Sequence, residues 1–343
     1  MKAAIQAIEF YLPESIETAE QLAAQFPDWQ VAKIAASTGI AQRHIAAPDQ
    51  CASDLAVEAA KKLFASGVCT PEQIDFILFC TETADYLLPP TACLLQHRLG
   101  IPTTAGALDF NLGSSGFVYG LALAQGLIEL QGRRNVLLLT ADTYSKLIHP
   151  ADKSVRTIFG DGAAATLISA TETDAQMGPF VFGTDGRGAH NLMVPAGGMR
   201  TPLNATTAIE STDGSGNIRT PANLFMDGGE IFAFTLGAVP KMLKQIYEAS
   251  GKSKDDIDLF VFHQPNQSML ETLRKQARIA PERFYIYLRD CGNTVSATIP
   301  IALKAAQLDG TLKPGAQVLL AGFGVGYSWA ATVLRWNTNF MTH

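Results

Sequence analysis

The stretch PEQIDFILFCTETAD, residues 71–85, returns in altered form at residues 253–267 as SKDDIDLFVFHQPNQ. The Ile-Asp pair in one block lies 183 positions from the Ile-Asp pair in the other. A second pair of blocks has the same offset, since RRNVLLLTADTYS ends at Ser145 and GAQVLLAGFGVGYS ends at Ser328. A register kept over roughly 70 residues predicts a chain built from two copies of one unit.

Each copy contains a short apolar strand, then a helical stretch, then a second apolar strand. Runs of Val, Leu, Ile and Phe between turn residues are typical of strands buried on both faces of a helix-covered sheet. The helical stretch of the first copy, Ser115–Leu130, is apolar on nearly every side, which predicts a helix enclosed by the rest of the fold. The predicted strands are Phe76–Cys80, Val136–Thr140, Leu259–His263 and Val318–Ala321.

The fold class indicated is α/β, with two similar halves at residues 1–170 and 171–343. The segment Gly183–Met226 is rich in Gly, Thr, Asn and Pro and has little apolar periodicity, so we interpret it as the irregular crossing after the first half. A surface loop is the simpler interpretation of this segment. A contribution to an acyl-binding tunnel is the alternative.

The composition excludes several classes of function. With 47% hydrophobic residues and a formal net charge of −6, the chain has a sizeable core and no basic footprint for nucleic acid. The five cysteines form no CxxC pair, so we expect neither a metal site nor a disulfide framework, and no cofactor is indicated. We find no secretion signal and no apolar run long enough to span a membrane, which predicts a cytoplasmic protein.

Ser114 follows an apolar strand in ALDFNLGSSGFVYG and stands directly before the enclosed helix. The N–H groups and the positive dipole at a helix N-terminus can stabilise an oxyanion or activate a nucleophile. Taken alone, a serine there is more simply an N-cap. The hydrolase pattern G-x-S-x-G does not fit, because Leu112 and Phe117 occupy positions that need glycine.

Two further polar residues stand at comparable places in the second copy. His263 ends an apolar strand in FVFHQPN, and polar residues at strand ends lie at the rim where open α/β sheets place their sites. Asn293, in RDCGNTVSATIPIAL, precedes another apolar helix and by itself is more simply a turn residue. Ser114 and Asn293 occupy roughly corresponding linkers, so pseudo-twofold packing predicts that they meet, with His263 beside them.

The glycine-rich stretch GFGVG, residues 322–326, lacks the spacing of a dinucleotide loop because Tyr327 stands where the last glycine would be. The following residues, YSWAATVLRW, have the pattern of a strand rather than a helix. We therefore predict a tight glycine turn that presents backbone N–H groups.

Together these motifs resemble those of the β-ketoacyl-acyl-carrier-protein synthase III family, over essentially the whole length of the chain. This resemblance implies a thiolase-like, duplicated α-β-α-β-α five-layered fold and a homodimer. It also implies an acyltransferase that works with an acyl carrier protein, an acyl-coenzyme A thioester, or both. The motifs that carry the resemblance are STGIAQRHIA (37–46), LDFNLGSSGFVYGL (108–121), FGDGAAA (159–165), FHQPN (262–266), CGNTVSATIPIAL (291–303) and GFGVGYSW (322–329).

The resemblance maps the family's Cys-His-Asn catalytic set onto Ser114, His263 and Asn293. It places an oxyanion hole at the backbone N–H groups of Ser114 and Val325. In such a site the acyl group is carried on Ser114 and is then transferred to, or condensed with, a malonyl-carrier or other acceptor. Because a hydroxyl ionises far less readily than a thiol, His263 would have to act as general base.

The resemblance also implies substrate contacts at Leu88, Gly324 and Asn266, with Leu88 contributed across the dimer interface. Leu88 stands where a bulkier Phe occurs in enzymes with short-chain primers, which favours a longer or branched acyl chain. Ser37 replaces an arginine expected before the TGI motif, and Ser268 replaces a basic residue expected after HQxN. The first change weakens the expected adenine clamp and argues against coenzyme A priming.

Three hypotheses follow. The first is a synthase III-like acyltransferase with Ser114 as its own nucleophile. The second is a Cys→Ser trapped variant of an ordinary ketosynthase III. The third is a non-catalytic thiolase-fold subunit that binds acyl carrier protein, and the presence of both His263 and Asn293 argues against it.

Overall fold

The structure, a computed structural model, describes residues 1–172 and 177–336. Two central sheets and the helices that cover them make up most of it. The strands are β1 Lys2–Tyr11, β2 Ser15–Thr18, β3 Gln42–Ile45, β4 Phe76–Cys80, β5 Gly106–Phe110, β6 Asn135–Asp142, β7 Gly162–Thr171, β8 Met177–Thr184, β9 Leu192–Met193, β10 Ser211–Thr212, β11 Ile218–Arg219, β12 Phe225–Met226, β13 Leu259–Phe262, β14 Gln317–Gly324 and β15 Ser328–Arg335. The helices are α1 Ala19–Gln25, α2 Val31–Thr38, α3 Ala52–Ala65, α4 Thr91–Arg98, α5 Gly116–Glu129, α6 Lys153–Arg156, α7 Gly228–Ser250, α8 Gln267–Gln276 and α9 Thr298–Leu308.

The two sheets repeat one topology. The first has the strand order β1-β7-β6-β4-β5, and the second has the order β8-β15-β14-β13 when read from the matching edge. Each sheet contains a parallel pair, β4 with β6 and β13 with β14. The strand that follows this pair beside β6 or β14 is antiparallel to it, β7 in the first sheet and β15 in the second. A single parallel bridge between Phe260 and Phe284 stands in the second sheet where β5 stands in the first. The predicted duplication is confirmed.

The sheets and helices stack in five layers. Helices α3 and α4 pack on the outer face of the first sheet, and α7 and α8 pack on the outer face of the second. Helices α5 and α9 lie between the sheets, which explains why α5 is apolar on nearly every side: Phe117, Leu121 and Ala124 are fully buried. The fold is therefore the predicted α-β-α-β-α arrangement.

The chain passes from one sheet to the other between Thr171, the end of β7, and Met177, the start of β8. This change of sheet supports our proposal that the halves divide between residues 170 and 171. The irregular segment Gly183–Met226 contains only short 3₁₀ turns and two-residue strands after β8 ends, as its composition predicts.

Candidate active site

Ser114 lies in the short connection between β5 and α5. The N-cap of α5 is Ser115, not Ser114, so the interpretation of Ser114 as a cap is wrong. The Ser115 hydroxyl is 2.7 Å from the hydroxyl of Ser328 on β15, which ties this turn to the second half. Ser114 is buried, with 8% of the residue exposed. Its hydroxyl has no hydrogen-bond partner within residues 1–172 and 177–336.

His263 immediately follows β13, one residue beyond the strand that the sequence predicted to include it. Its N–H donates to the Ala321 carbonyl at 2.8 Å, and its ring Nδ1 lies 2.8 Å from the Thr298 hydroxyl. Burial lowers the pKa of His263 to about 3, so the ring is neutral at physiological pH. Nε2 has no hydrogen-bond partner in the described part of the chain.

The backbone of Asn293 is held by Ile158, which precedes the FGDGAAA motif, and by Gly160 within that motif. Its N–H donates to the Ile158 carbonyl at 2.9 Å, and its carbonyl accepts from the Gly160 N–H at 3.0 Å. The side-chain Oδ1 accepts from the Val295 N–H at 2.9 Å, which fixes the orientation of the amide. The NH₂ group is left as a donor without a protein partner among the described residues.

One cavity of about 130 Å³ joins these three side chains. Ser114, His263 and Asn293 all line it, so the meeting that the repeat predicts does occur. The rest of the wall is mainly apolar, which suits an acyl or other apolar chain rather than a charged metabolite. This apolar part includes Ile158, Phe159, Leu192, Met226, Ile231 and Met269.

The irregular crossing segment forms part of this wall. Leu192 and Met226 both lie within Gly183–Met226, and both line the cavity. The surface-loop interpretation of the segment is therefore incomplete, and the alternative that it contributes to an apolar binding space is supported.

The glycine-rich stretch at residues 322–326 covers the end of β14, which runs to Gly324, and the start of the turn into β15, so the predicted turn begins only at Val325. Its glycines let the second half approach the Ser114 connection closely. A Cβ at Gly322 would lie 2.6 Å from the Ser114 carbonyl oxygen, and a Cβ at Gly324 would lie 3.2 Å from Ser114 Oγ. The Ser114 and Val325 N–H groups donate no hydrogen bond to the loops or side chains of residues 1–172 and 177–336.

We expect Gly324→Ala to lower the rate of acylation by about 10- to 100-fold, because small displacements of reacting groups cost that much. The added methyl would crowd Ser114 Oγ without entering the core. Gly126→Ala is the matched control, since a Cβ there contacts nothing within 4 Å. Single-turnover acylation measured by mass spectrometry provides the test, and equal rates for the two variants would contradict this role of Gly324.

The remaining predicted contacts have different positions. Asn266 lines the cavity, but its Oδ1 also caps α8 by accepting from the Met269 N–H at 2.9 Å. Leu88 does not line the cavity of its own chain, and its side chain is 80% exposed. Its neighbours Tyr86 and Leu87 are exposed as well, at 63% and 79%.

A buried acidic pair lies beneath the site and was missed by the sequence analysis. The Glu82 N–H donates to Asp142 Oδ1 at 2.8 Å, and the Ser296 N–H donates to Asp142 Oδ2 at 3.2 Å. The hydroxyl of Tyr144, which lines the cavity, donates to Glu82. Burial raises the pKa of both carboxyls, and the neighbouring Glu82 charge raises that of Asp142 further.

One signal in the sequence could have revealed this pair. Glu82 follows β4 by two residues and Asp142 ends β6, and these strands are parallel neighbours. The carboxyl ends of parallel strands meet at one edge of a sheet, which is where such sites form.

We expect the pair to make the protein less stable as the pH rises from 6.5 to 8. The pKa of Asp142 is raised to about 8, so the folded chain keeps a proton that the unfolded chain releases near pH 4. The stabilisation that comes from this retained proton is complete below pH 4, where the unfolded chain is protonated too, and it is lost as the pH rises to about 8. One extra bound proton corresponds to about 1.4 kcal/mol per pH unit.

Urea unfolding of the native chain and of Asp142→Asn at pH 6.5, 7, 7.5 and 8 measures this effect. The unfolded form of His263 titrates near pH 6.5, so its buried neutral ring adds a slope of the opposite sign, but this slope is the same in both proteins and cancels in the comparison. The native protein should lose stability more steeply than the variant. Equal slopes would show that the pair does not hold an extra proton.

The described residues contain neither a candidate membrane span nor a candidate metal site. No helix within residues 1–172 and 177–336 is long and apolar enough to cross a membrane. In the same ranges no group of three or more His, Cys, Asp and Glu side chains is placed to hold a metal ion.

A duplicated five-layered α/β fold with a hydroxyl, a neutral imidazole and an amide around one apolar cavity defines the class of thiolase-like acyl-transferring enzymes. The family profile described as 3-oxoacyl-[acyl-carrier-protein (ACP)] synthase III matches residues 108–186, and its C-terminal counterpart matches residues 247–336.

A β-ketoacyl-[acyl-carrier-protein] synthase III of Caldanaerobacter subterraneus subsp. tengcongensis is 37% identical, over 95% of this chain and 96% of that protein. A crystal structure of a 3-oxoacyl-(acyl-carrier-protein) synthase III has a TM-score of 0.96 and 53% identity, covering 98% of this chain and 100% of that one. The corresponding synthase from Burkholderia xenovorans LB400 has a TM-score of 0.90 and 36% identity, over 98% and 95%. The chain belongs to the β-ketoacyl-[acyl-carrier-protein] synthase III family of condensing enzymes.

Proposed function

We propose that the chain takes an acyl group from a thioester onto Ser114 and passes it to an acceptor held beside His263 and Asn293. The observation that carries this proposal is the meeting of three polar groups without protein partners, Ser114 Oγ, His263 Nε2 and the Asn293 amide, at one apolar cavity. His263 removes the Ser114 proton, and the N–H groups of Ser114 and Val325 stabilise the oxyanion.

The donor in this proposal is an acyl-carrier thioester, with acyl-coenzyme A as the second candidate. The names of the relatives refer to an acyl carrier protein, which favours the carrier. Ser37, in place of an arginine, removes a cation that could meet the nucleotide of coenzyme A. The protein is proposed to act in the cytoplasm.

Leu88 supports a homodimer in which each subunit completes the other's acyl site. Tyr86, Leu87 and Leu88 form an exposed apolar stretch, and such a stretch is normally covered by a partner. We propose that a second copy covers it and that Leu88 of each subunit reaches the acyl chain bound by the other. Gly324 and Asn266 would contact the substrate from within the chain.

The test is intact-mass analysis of the full chain after mixing with a panel of acyl-carrier and acyl-coenzyme A thioesters. A stable acyl adduct on the native protein supports the proposal and identifies both the donor and the acyl chain. An adduct that forms only after Ser114→Cys would instead favour the hypothesis of a Cys→Ser trapped variant. No adduct on either protein, with retained binding of the carrier, would favour a non-catalytic subunit.

A further inference from the structure

The ring of His263 has one polar partner on its inner side, the hydroxyl of Thr298, the first residue of α9. The distance from His263 Nδ1 to Thr298 Oγ1 is 2.8 Å, and both residues are buried. Phe323 packs edge-on against the ring with 5.7 Å between the ring centroids. No charged group hydrogen-bonds to the ring within residues 1–172 and 177–336.

A second contact bears on the direction of this hydrogen bond. Thr298 Oγ1 also lies 3.1 Å from the carbonyl oxygen of Val295, which accepts the Thr298 backbone N–H as well. A carbonyl can only accept, and the hydroxyl has a single proton. With that proton directed to Val295, the hydroxyl meets His263 as an acceptor, and Nδ1 is the nitrogen that carries hydrogen. A neutral imidazole has one N–H, so Nε2 is left with a free lone pair.

The backbone at Val295 is strained in a way that serves this arrangement. Val295 has φ of +56°, a left-handed conformation that is a rare outlier for a β-branched residue. In this conformation its N–H orients the Asn293 amide while its carbonyl receives the Thr298 hydroxyl. Strain of this kind is retained at functional sites where the surrounding structure imposes it.

We infer that Thr298 is a positioning residue that holds neutral His263 with its proton on Nδ1, so that Nε2 can accept the Ser114 proton. This inference rests on the proposed function for the role of Ser114. In the acylation step, the Ser114 O–H proton moves to Nε2 while Oγ bonds to the thioester carbonyl carbon. The carbon–sulfur bond then breaks, and the proton passes from Nε2 to the departing thiolate. His263 returns to its neutral Nδ1–H form.

The tautomer can be measured without any reaction. Long-range ¹H–¹⁵N correlation spectra of the full chain labelled in histidine distinguish a protonated nitrogen from one with a lone pair. The chain has six histidines, and the spectrum of His263→Asn identifies the signals of His263. We expect Nδ1 protonated and Nε2 unprotonated at pH 7. A proton on Nε2 in the native protein would overturn the inference.

Two substitutions test the part played by the hydroxyl. Thr298→Val keeps the shape of the side chain but removes the acceptor, whereas Thr298→Ser retains it. In the valine variant we expect the proton to shift toward Nε2 and the acylation rate to fall about tenfold, in proportion to the lost Nδ1–H population. In the serine variant both should stay close to native. An unchanged tautomer in Thr298→Val would also overturn the role of Thr298.

Failure of the inference and failure of the proposed function give different results. If His263 carries its proton on Nδ1 but Ser114 accepts no acyl group, the tautomer assignment stands and the acyl-enzyme proposal is wrong. If Ser114 is acylated while Nε2 carries the proton, the acyl-enzyme proposal stands and Thr298 does not set the base. Near-UV circular dichroism of each variant verifies that the fold is intact.

Discussion

Replacing Ser114 by Cys should raise the rate of β-ketoacyl product release by about 10- to 100-fold, equivalent to roughly 1.4–2.7 kcal/mol of barrier. Condensation requires a carbanion to attack the enzyme-bound carbonyl. An oxygen ester is a poorer electrophile than a thioester, because its oxygen donates more strongly into the carbonyl. A thiol at the start of α5 also ionises more readily than a hydroxyl, so the acylation step gains as well.

The other half of the site is the same in both proteins. Under the proposed function, His263 and Asn293 act on the malonyl acceptor, and both line the cavity with Ser114. Ser114→Cys leaves them unchanged, so the variant tests the nucleophile position alone.

Product release should be followed with the same acyl and malonyl partners for the native chain, for Ser114→Cys and for Ser115→Cys. The last variant places a thiol one residue away, at the N-cap, and should gain nothing. If the native protein already releases product as fast as Ser114→Cys, serine is adequate for the carbon–carbon step and this account of the electrophile is wrong.

Replacing His263 by Ala should lower the rate of Ser114 acylation by about 10²- to 10⁴-fold, the usual contribution of a general base. The loss should be large here because His263 is the one base among the described residues that line the cavity with Ser114. In the Ser114→Cys background the same change should cost less, since a thiol at a helix N-terminus ionises without a base.

His97→Ala provides the matched control, because His97 lies on the exposed side of α4. Single-turnover acylation by a carrier thioester measures both effects in five proteins: the native chain, His263→Ala, Ser114→Cys, the double variant and His97→Ala. Equal losses in the serine and cysteine backgrounds would mean that His263 acts on something other than the nucleophile's proton.

The sequence predicted the two-fold design because apolar strands carry their own signal. Phe76–Cys80 is the observed β4, and the predicted helix Ser115–Leu130 is observed as Gly116–Glu129. The offset between the copies was sufficient to place Ser114 near Asn293, since both precede the helices that lie between the sheets. The sequence therefore predicted that these residues lie together, and the structure confirms it. Their chemical roles stay predictions.

Other features depend on three-dimensional contacts that no local pattern encodes. Glu82 and Asp142 meet because β4 and β6 are neighbouring strands. The Thr298 hydroxyl reaches His263 because the first residue of α9 lies in space beside the residue that follows β13. The capping role assigned to Ser114 was one residue out, because a Ser-Ser pair gives no local reason to choose between them. The proposed contact of Leu88 with the acyl chain depends on a second subunit, because in the single chain Leu88 is exposed.

The most direct test of the acyl-enzyme on Ser114 is peptide mapping of the adduct formed with an acyl-carrier thioester, compared between the native chain, Ser114→Ala and Ser115→Ala. Ser114→Ala should fold normally, because the Ser114 hydroxyl makes no hydrogen bond in the described residues and its loss costs less than the roughly 1 kcal/mol of a helix cap. We predict an acyl mass on the peptide that contains Ser114 in the native chain and in Ser115→Ala, and none in Ser114→Ala. An undiminished adduct in Ser114→Ala would contradict the central claim.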